Sequence, residues 1–99
     1  MDLKELREKI DETDRQIVAL YEQRMDLSAQ IASYKIEHGL KVLDRNREAE
    51  KIKSVRAMTG NSFNEESIEE LYVHIMALSR KKQIALMRER GITVSDEEE

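Results

Sequence analysis

Hydrophobic residues recur every three or four positions along the first third of the chain, a spacing typical of a helix that packs along other helices. We call these ten positions the heptad seam: Leu3, Leu6, Ile10, Thr13, Ile17, Leu20, Arg24, Leu27, Ile31 and Tyr34. Only Thr13 and Arg24 interrupt the apolar series. A guanidinium stays charged and is costly to bury alone, so Arg24 is expected to meet an anion, either a protein carboxylate or a ligand.

The pattern predicts an all-α fold with three helices per chain, forming a single domain over residues 1–91. The first and longest helix is expected over about residues 2–38, with Gly39 following its last turn. A short loop then leads to Asp44, a good N-cap, and a second helix that runs to about Ala57.

The third helix is expected to start after a polar break at residues 59–62. Its N-cap is either Ser62, with a glutamate three residues further on, or Asn64. Gly91 is expected to end it. Residues 92–99 are polar and acidic, and we expect them to form a disordered tail.

The length of the first helix predicts a second chain. At 1.5 Å per residue this helix is roughly 54 Å long. A compact domain of this size has a radius of gyration of only about 13 Å, so the helix and its seam overhang their own domain. We therefore expect an obligate homodimer with intertwined first helices.

The composition argues against several classes of protein. The chain has no cysteine, and its two histidines, His38 and His74, have no partner at ligand spacing, so neither a disulfide nor a metal site is expected. The net charge of −4 comes from the four acidic residues 96–99, and the balance elsewhere predicts no nucleic-acid partner. The absence of a long apolar run or signal-peptide pattern predicts a soluble cytoplasmic protein without a membrane partner.

One face of the first helix carries candidate anion ligands. Arg24, Ser28, Ile31 and Lys35 share that face, and the two cations are about 16 Å apart along the axis. Bending toward each other, they could bracket a small dianion. Arg7 lies roughly 25 Å before Arg24, too far for the same ligand in its own chain. In an antiparallel dimer it could enter the partner's site.

The other two helices add polar groups. Asp44, Arg47 and Glu48 can crowd around one spot, while Ser79 and Gln83 share a face at i, i+4. The whole set contains fixed cations, neutral donors and an acidic pair, but no nucleophile with a paired base and no metal ligand set. It suits a dicarboxylate that also carries a hydroxyl, and it predicts no cofactor.

Each of these features also has a purely structural interpretation. Arg24 could set the helix register or pair with a buried glutamate. Lys35 could oppose the helix dipole, and the group of Asp44, Arg47 and Glu48 could be only an N-cap and a surface ion pair. Taken singly, every feature except Arg24 favours the structural interpretation, and the joint arrangement shifts the balance to a ligand site.

These residues and their spacings resemble the all-helical chorismate mutase family. The resemblance covers residues 3 to about 86. It is carried by Leu6-Arg7-Glu8-Lys9-Ile10-Asp11, Asp14, Arg24, Lys35, Val42-Leu43-Asp44-Arg45-Asn46-Arg47-Glu48 and Leu78-Ser79-Arg80-Lys81-Lys82-Gln83. It implies an intertwined dimer of three-helix chains that converts chorismate to prephenate, in phenylalanine and tyrosine biosynthesis, without a cofactor.

The resemblance also implies which residues bind the two carboxylates of chorismate. Arg24, together with Arg7 of the partner subunit, would hold them. Ser79 would assist and Arg47 would support that end of the site.

For the rest of the substrate, the resemblance implies that Glu48 and the backbone at Asp44 bind the ring hydroxyl. Lys35 and Gln83 would reach the ether oxygen whose bond breaks. Arg80 lies near the expected mouth of the site, and its role is left open.

Two alternatives remain at this point. The same helical fold hosts isochorismate-pyruvate lyases, and a non-catalytic helical dimer could serve as a regulatory module. The acidic pair Asp44 and Glu48 favours the mutase over the lyase. The joint presence of Arg7, Arg24, Lys35 and Gln83 argues against the non-catalytic module.

Overall fold

The structure is a computed structural model that describes residues 1–95 and 98. The described residues form three α-helices and one 3-10 turn: α1 Leu3–His38, α2 Arg45–Met58, the turn Ser62–Asn64, and α3 Glu65–Glu89. This confirms the all-α prediction and the long first helix. Within the described residues, no helix has the length and apolarity needed to cross a membrane.

The ends of α1 and the start of α2 follow from local capping. The Asp2 carboxylate accepts the Glu5 N–H at 2.8 Å, and α1 ends at Gly39, whose φ of 63° lies in the left-handed region. The Asp44 carboxylate accepts the Arg47 N–H at 3.0 Å and begins α2. These boundaries match the sequence prediction to within a residue or two.

The start of α3 matches the prediction in position but not in its side-chain capping contact. The helix follows Asn64, one of the two expected caps, but neither the Asn64 nor the Ser62 side chain bonds to its first turn. Instead the Asn61 side chain accepts the Phe63 N–H at 2.9 Å and opens the 3-10 turn that leads into α3. Because the 3-10 turn comes before the helix, the capping side chain belongs to that turn and lies one residue before Ser62 and three before Asn64.

The core lies where α3 meets the rest of the chain, since α3 packs along both α1 and α2. A cluster at one end contains Val42, Ile84, Met87 and Val94, with Ile36 packed against it. This cluster anchors the loop between α1 and α2 against the last turns of α3. The loop therefore has a defined position beside α1.

The heptad seam is not the surface that α1 buries within its own chain. The buried residues of α1 are Ser28 and Ala32, each one position after a seam residue. Seam residues remain largely exposed: Leu20 is 63% exposed and Ile31 is 47% exposed. The seam thus still lacks a packing partner in the single chain, which extends to 54 Å.

The segment after α3 packs further than the sequence suggested. Gly91, at a φ of 76°, lets the chain turn, and the Ile92 N–H returns to the Met87 carbonyl at 3.0 Å. Ile92 is then half-buried and Val94 buried, because their alternating side chains face the core. Of the expected tail, Asp96, Glu97 and Glu99 lie outside the described residues. The domain boundary at residue 91 stays a prediction.

Candidate active site

A pocket of about 430 Å³ lies between α1, the first turns of α2 and the middle of α3. Seven of the eight candidate site residues line it: Arg24, Lys35, Asp44, Arg47, Glu48, Ser79 and Gln83. They come from all three helices and from positions up to 59 residues apart in sequence. Helical periodicity predicted which of these residues share a face of the same helix. The packing of α3 on both α1 and α2 brings the three faces together.

The eighth residue, Arg7, is not at this pocket. It is exposed near the start of α1, 17 residues before Arg24. That separation is roughly 25 Å of helix, so Arg7 cannot reach a ligand bound beside Arg24 in its own chain.

Arg24 stands at one end of the pocket and is half-buried. Its guanidinium carbon lies 5.8 Å from the centre of the Tyr72 ring, a cation–π distance. Among the described residues it has no carboxylate ion-pair partner. Of the two anions expected to meet this arginine, the described residues of the chain therefore do not supply the protein carboxylate.

Lys35 stands at the other end. Its Nζ donates a hydrogen bond to the Val42 carbonyl at 2.7 Å. Burial lowers the pKa of the Lys35 ammonium below its ordinary value of 10.5, and the charges of Asp44, Glu98 and Glu48 oppose that shift without cancelling it. The site therefore contains a partly desolvated cation, which interacts more strongly with a bound anion than a solvated lysine does.

Neutral hydrogen-bonding groups line the wall that α1 and α3 share. The hydroxyls of Ser28 and Ser79 are hydrogen-bonded to each other. Gln83 Nε2 donates weakly to Ser79 Oγ, at 3.5 Å. All three side chains are buried, and Gln83 Oε1 has no hydrogen-bond partner among the described residues.

The α2 side of the pocket carries its carboxylates. Asp44 is occupied as the N-cap of α2 through the Arg47 N–H. Glu48 forms an ion pair with Arg80 of α3, in which Arg80 Nη1 lies 2.5 Å from each carboxylate oxygen. Arg80, whose role the sequence left open, thus lines the pocket and lies against Glu48.

Sequence reasoning missed two residues near this site. Lys51 lines the pocket. It lies four residues after Arg47, and this spacing could have indicated that both side chains share the helix face at the site. Glu98 accepts the Val42 N–H at 2.6 Å and the Leu43 N–H at 3.4 Å. No spacing rule links Glu98 to a loop more than 50 residues earlier, so no sequence signal could have found it.

The electrostatic balance of the pocket favours anions. Two carboxylates line it, those of Asp44 and Glu48. Five cationic side chains also line it: Arg24, Lys35, Arg47, Lys51 and Arg80. Its lining contains no cysteine or histidine, and its serines bond to each other and to Gln83 without a paired base. Among the described residues, no group of three or more histidine, cysteine, aspartate or glutamate side chains could hold a metal ion. The pocket can bind and orient a dianion, and it can donate hydrogen bonds to it from a lysine and an amide.

Comparison with known proteins gives one match. A model of the family described as chorismate mutase type II matches residues 6–84, which include every candidate site residue. Searches among curated proteins and among solved structures returned no match.

Proposed function

The chain belongs to the chorismate mutase type II family and is an isomerase of that kind, and from that premise we propose that its pocket rearranges chorismate to prephenate for phenylalanine and tyrosine biosynthesis. One observation carries this proposal. Seven residues expected to serve that reaction, drawn from three helices, line a single pocket in which cations outnumber carboxylates.

The two substrate carboxylates are bound by arginines. Arg24 holds one of them, which accounts for a half-buried guanidinium without a carboxylate partner among the described residues. Arg7 of the partner subunit holds the other, with Arg47 supporting this end of the pocket. Ser79 assists through its hydroxyl, which Ser28 already holds in place.

A homodimer supplies that second arginine. The heptad seam is exposed along the whole overhanging part of α1, and Leu3, Ile10 and Ile17 are each about 60% exposed. An apolar stripe of this length is stabilised when a second copy of the same helix covers it. In an antiparallel pair of α1 helices, each amino-terminal end lies over the partner's pocket, so Arg7 completes the partner's site.

The ring hydroxyl is bound on the α2 side. Glu48 accepts a hydrogen bond from this hydroxyl, and the backbone at Asp44 completes the contact. The Asp44 carboxylate stays with the N-cap, so its side chain does not need to move.

The reaction is an intramolecular Claisen rearrangement and transfers no proton. The bond between the ring carbon and the ether oxygen breaks, a carbon–carbon bond forms between the enol methylene and the ring, and the ether oxygen becomes a ketone. The pocket accelerates this step by holding the substrate in its compact reactive conformer. Lys35 and Gln83 donate hydrogen bonds to the ether oxygen as negative charge grows on it. Lys35 has three N–H donors, so it can serve the substrate and still bond to Val42.

The decisive experiment mixes the purified protein with chorismate and follows the loss of its ultraviolet absorbance. The product is identified by its conversion to phenylpyruvate in acid. Saturable conversion that is abolished in an Arg24→Ala variant supports the proposal. A folded wild-type dimer that leaves chorismate unchanged contradicts it, and isochorismate then tests for the lyase.

A further inference from the structure

Arg80 has no task in the proposed reaction, although it lies in the pocket. It reaches from α3 to α2 and contacts both carboxylate oxygens of Glu48. Both side chains are well shielded from solvent, at 19% and 26% exposed. We propose that Arg80 is a positioning residue that holds the Glu48 carboxylate in place to accept the ring hydroxyl of the substrate. This inference rests on the proposed function and adds a determinant of substrate specificity to it.

The charge of Glu48 explains why the site needs such a partner. A free carboxylate in this pocket would repel the two carboxylates of an incoming dianion. Pairing with Arg80 offsets that repulsion without using up the carboxylate, because its oxygens offer about four acceptor positions. Glu48 can therefore keep its contact with Arg80 and still accept a hydrogen bond from the substrate hydroxyl.

The conformation of Glu48 gives a second reason. A glutamate side chain has three rotatable bonds, and fixing it costs conformational entropy. The contact of Arg80 with both oxygens fixes the carboxylate before the substrate arrives, so that less entropy is lost on binding. Hydroxyl recognition by a fixed acceptor also discriminates strongly against a substrate without the hydroxyl.

A structural role is the competing explanation, since Arg80 also links α2 to α3. The chain offers a matched control for it. Arg56 on α2 pairs with Glu69 of α3 at 3.0 Å and with Glu65 at 3.6 Å, and it does not line the pocket. A variant at Arg56 thus loses an ion pair between the same two helices without touching the site.

The test compares Arg80→Met and Arg56→Met on two substrates, chorismate and an analogue in which hydrogen replaces the ring hydroxyl. We expect Arg80→Met to lower kcat/KM for chorismate by about ten- to a hundredfold, the range of a hydrogen bond to a charged group. The analogue cannot bond to Glu48 but still carries both carboxylates, so Arg80→Met should lower its kcat/KM only through repulsion by the unpaired Glu48, and clearly less than for chorismate. Arg56→Met should leave both substrates unaffected, and Arg80→Lys should recover part of the loss on chorismate.

A double variant completes the design. In a Glu48→Gln background, Arg80→Met should cause little further loss with chorismate, because both residues act through the same contact. An equal loss on both substrates, or an equal loss in Arg56→Met, overturns the positioning role, because neither result depends on the hydrogen bond between Glu48 and the ring hydroxyl. If Arg80→Met does not fold, Arg80→Lys on the two substrates decides the question. Failure of the wild-type protein to convert chorismate refutes the proposed function itself and is thus distinguishable.

Discussion

The Lys35 ammonium on α1 and the Val42 carbonyl in the following loop are joined by a hydrogen bond of 2.7 Å. Val42 is 3% exposed, and its N–H donates a hydrogen bond to the Glu98 carboxylate. The loop is thereby held in place, and it holds the lysine against the pocket wall. Two N–H donors of Lys35 remain for a substrate. The structure thus contains an oriented, partly desolvated cation before any ligand binds.

Removing either of the cations at the two ends of the pocket should abolish catalysis without unfolding the protein. We expect Lys35→Ala and Arg24→Ala each to lower kcat/KM by roughly a thousandfold or more, since each removes charge stabilisation at the substrate. Steady-state kinetics measure the loss, while circular dichroism and solution mass report the fold and the dimer. Variants that unfold or dissociate would instead identify these residues as structural.

Activity should fall at alkaline pH earlier than an ordinary lysine predicts. Burial lowers the pKa of Lys35 below 10.5, so the free enzyme loses the positive charge that we propose acts on the ether oxygen as pH rises through that lowered value. The profile of kcat/KM against pH reports the pKa in the free enzyme. Its alkaline limb should be centred below pH 10.5.

Glu98→Gln tests whether deprotonation of Lys35 causes the alkaline loss of activity. The amide keeps an oxygen to accept the Val42 N–H, but it removes a negative charge that raises the pKa of Lys35. The alkaline limb should therefore move to still lower pH. Glu89→Gln is the charge-matched control, because its carboxylate is exposed and is not among those acting on the pKa of Lys35. A limb that moves equally in both variants, or upward in Glu98→Gln, would contradict the assignment.

Gln83 should make activity nearly independent of pH from mildly acidic to mildly alkaline solution, because an amide donates a hydrogen bond in both. A carboxylate at this buried position can donate only when protonated, so Gln83→Glu should be active in acid and lose activity toward neutral pH. The two pH profiles are measured side by side. A wild-type enzyme that loses activity steeply across neutral pH would rule out this role for Gln83.

Two inactive variants should restore activity when mixed, if each site uses Arg7 of one chain and Lys35 of the other. A heterodimer of Arg7→Ala and Lys35→Ala chains has one intact site and one doubly altered site. After unfolding and refolding together in equal amounts, the mixture should regain about one quarter of wild-type activity, since half of the dimers are mixed and each has one intact site.

The separately refolded variants provide the baseline for that experiment. No gain on mixing, with wild-type dimers refolding normally, would mean that Arg7 does not act across the interface. A wild-type protein of monomeric mass at micromolar concentration would refute the dimer as well.

The sequence alone determined where the first two helices begin, where α1 ends, and which side chains share a helix face. Asp2 and Asp44 each accept an N–H three residues further on, and Gly39 ends α1 in a left-handed conformation, all of which are local interactions. Helical periodicity put Arg24 and Lys35 on one face, because side chains separated by about one turn or a multiple of it point the same way. The resemblance of the sequence to the family, confirmed by the family match, selected which of these residues to join into a site.

Only the tertiary structure decided how those faces meet. The hydrogen bond between Ser28 and Ser79 spans 51 residues, and the ion pair of Glu48 with Arg80 spans 32. Periodicity likewise could not show that α1 buries Ser28 within its chain while the adjacent seam residue Leu27 stays 49% exposed. Caps and periodicity act within a few residues along the chain, whereas the contacts between helices depend on how their whole surfaces pack together.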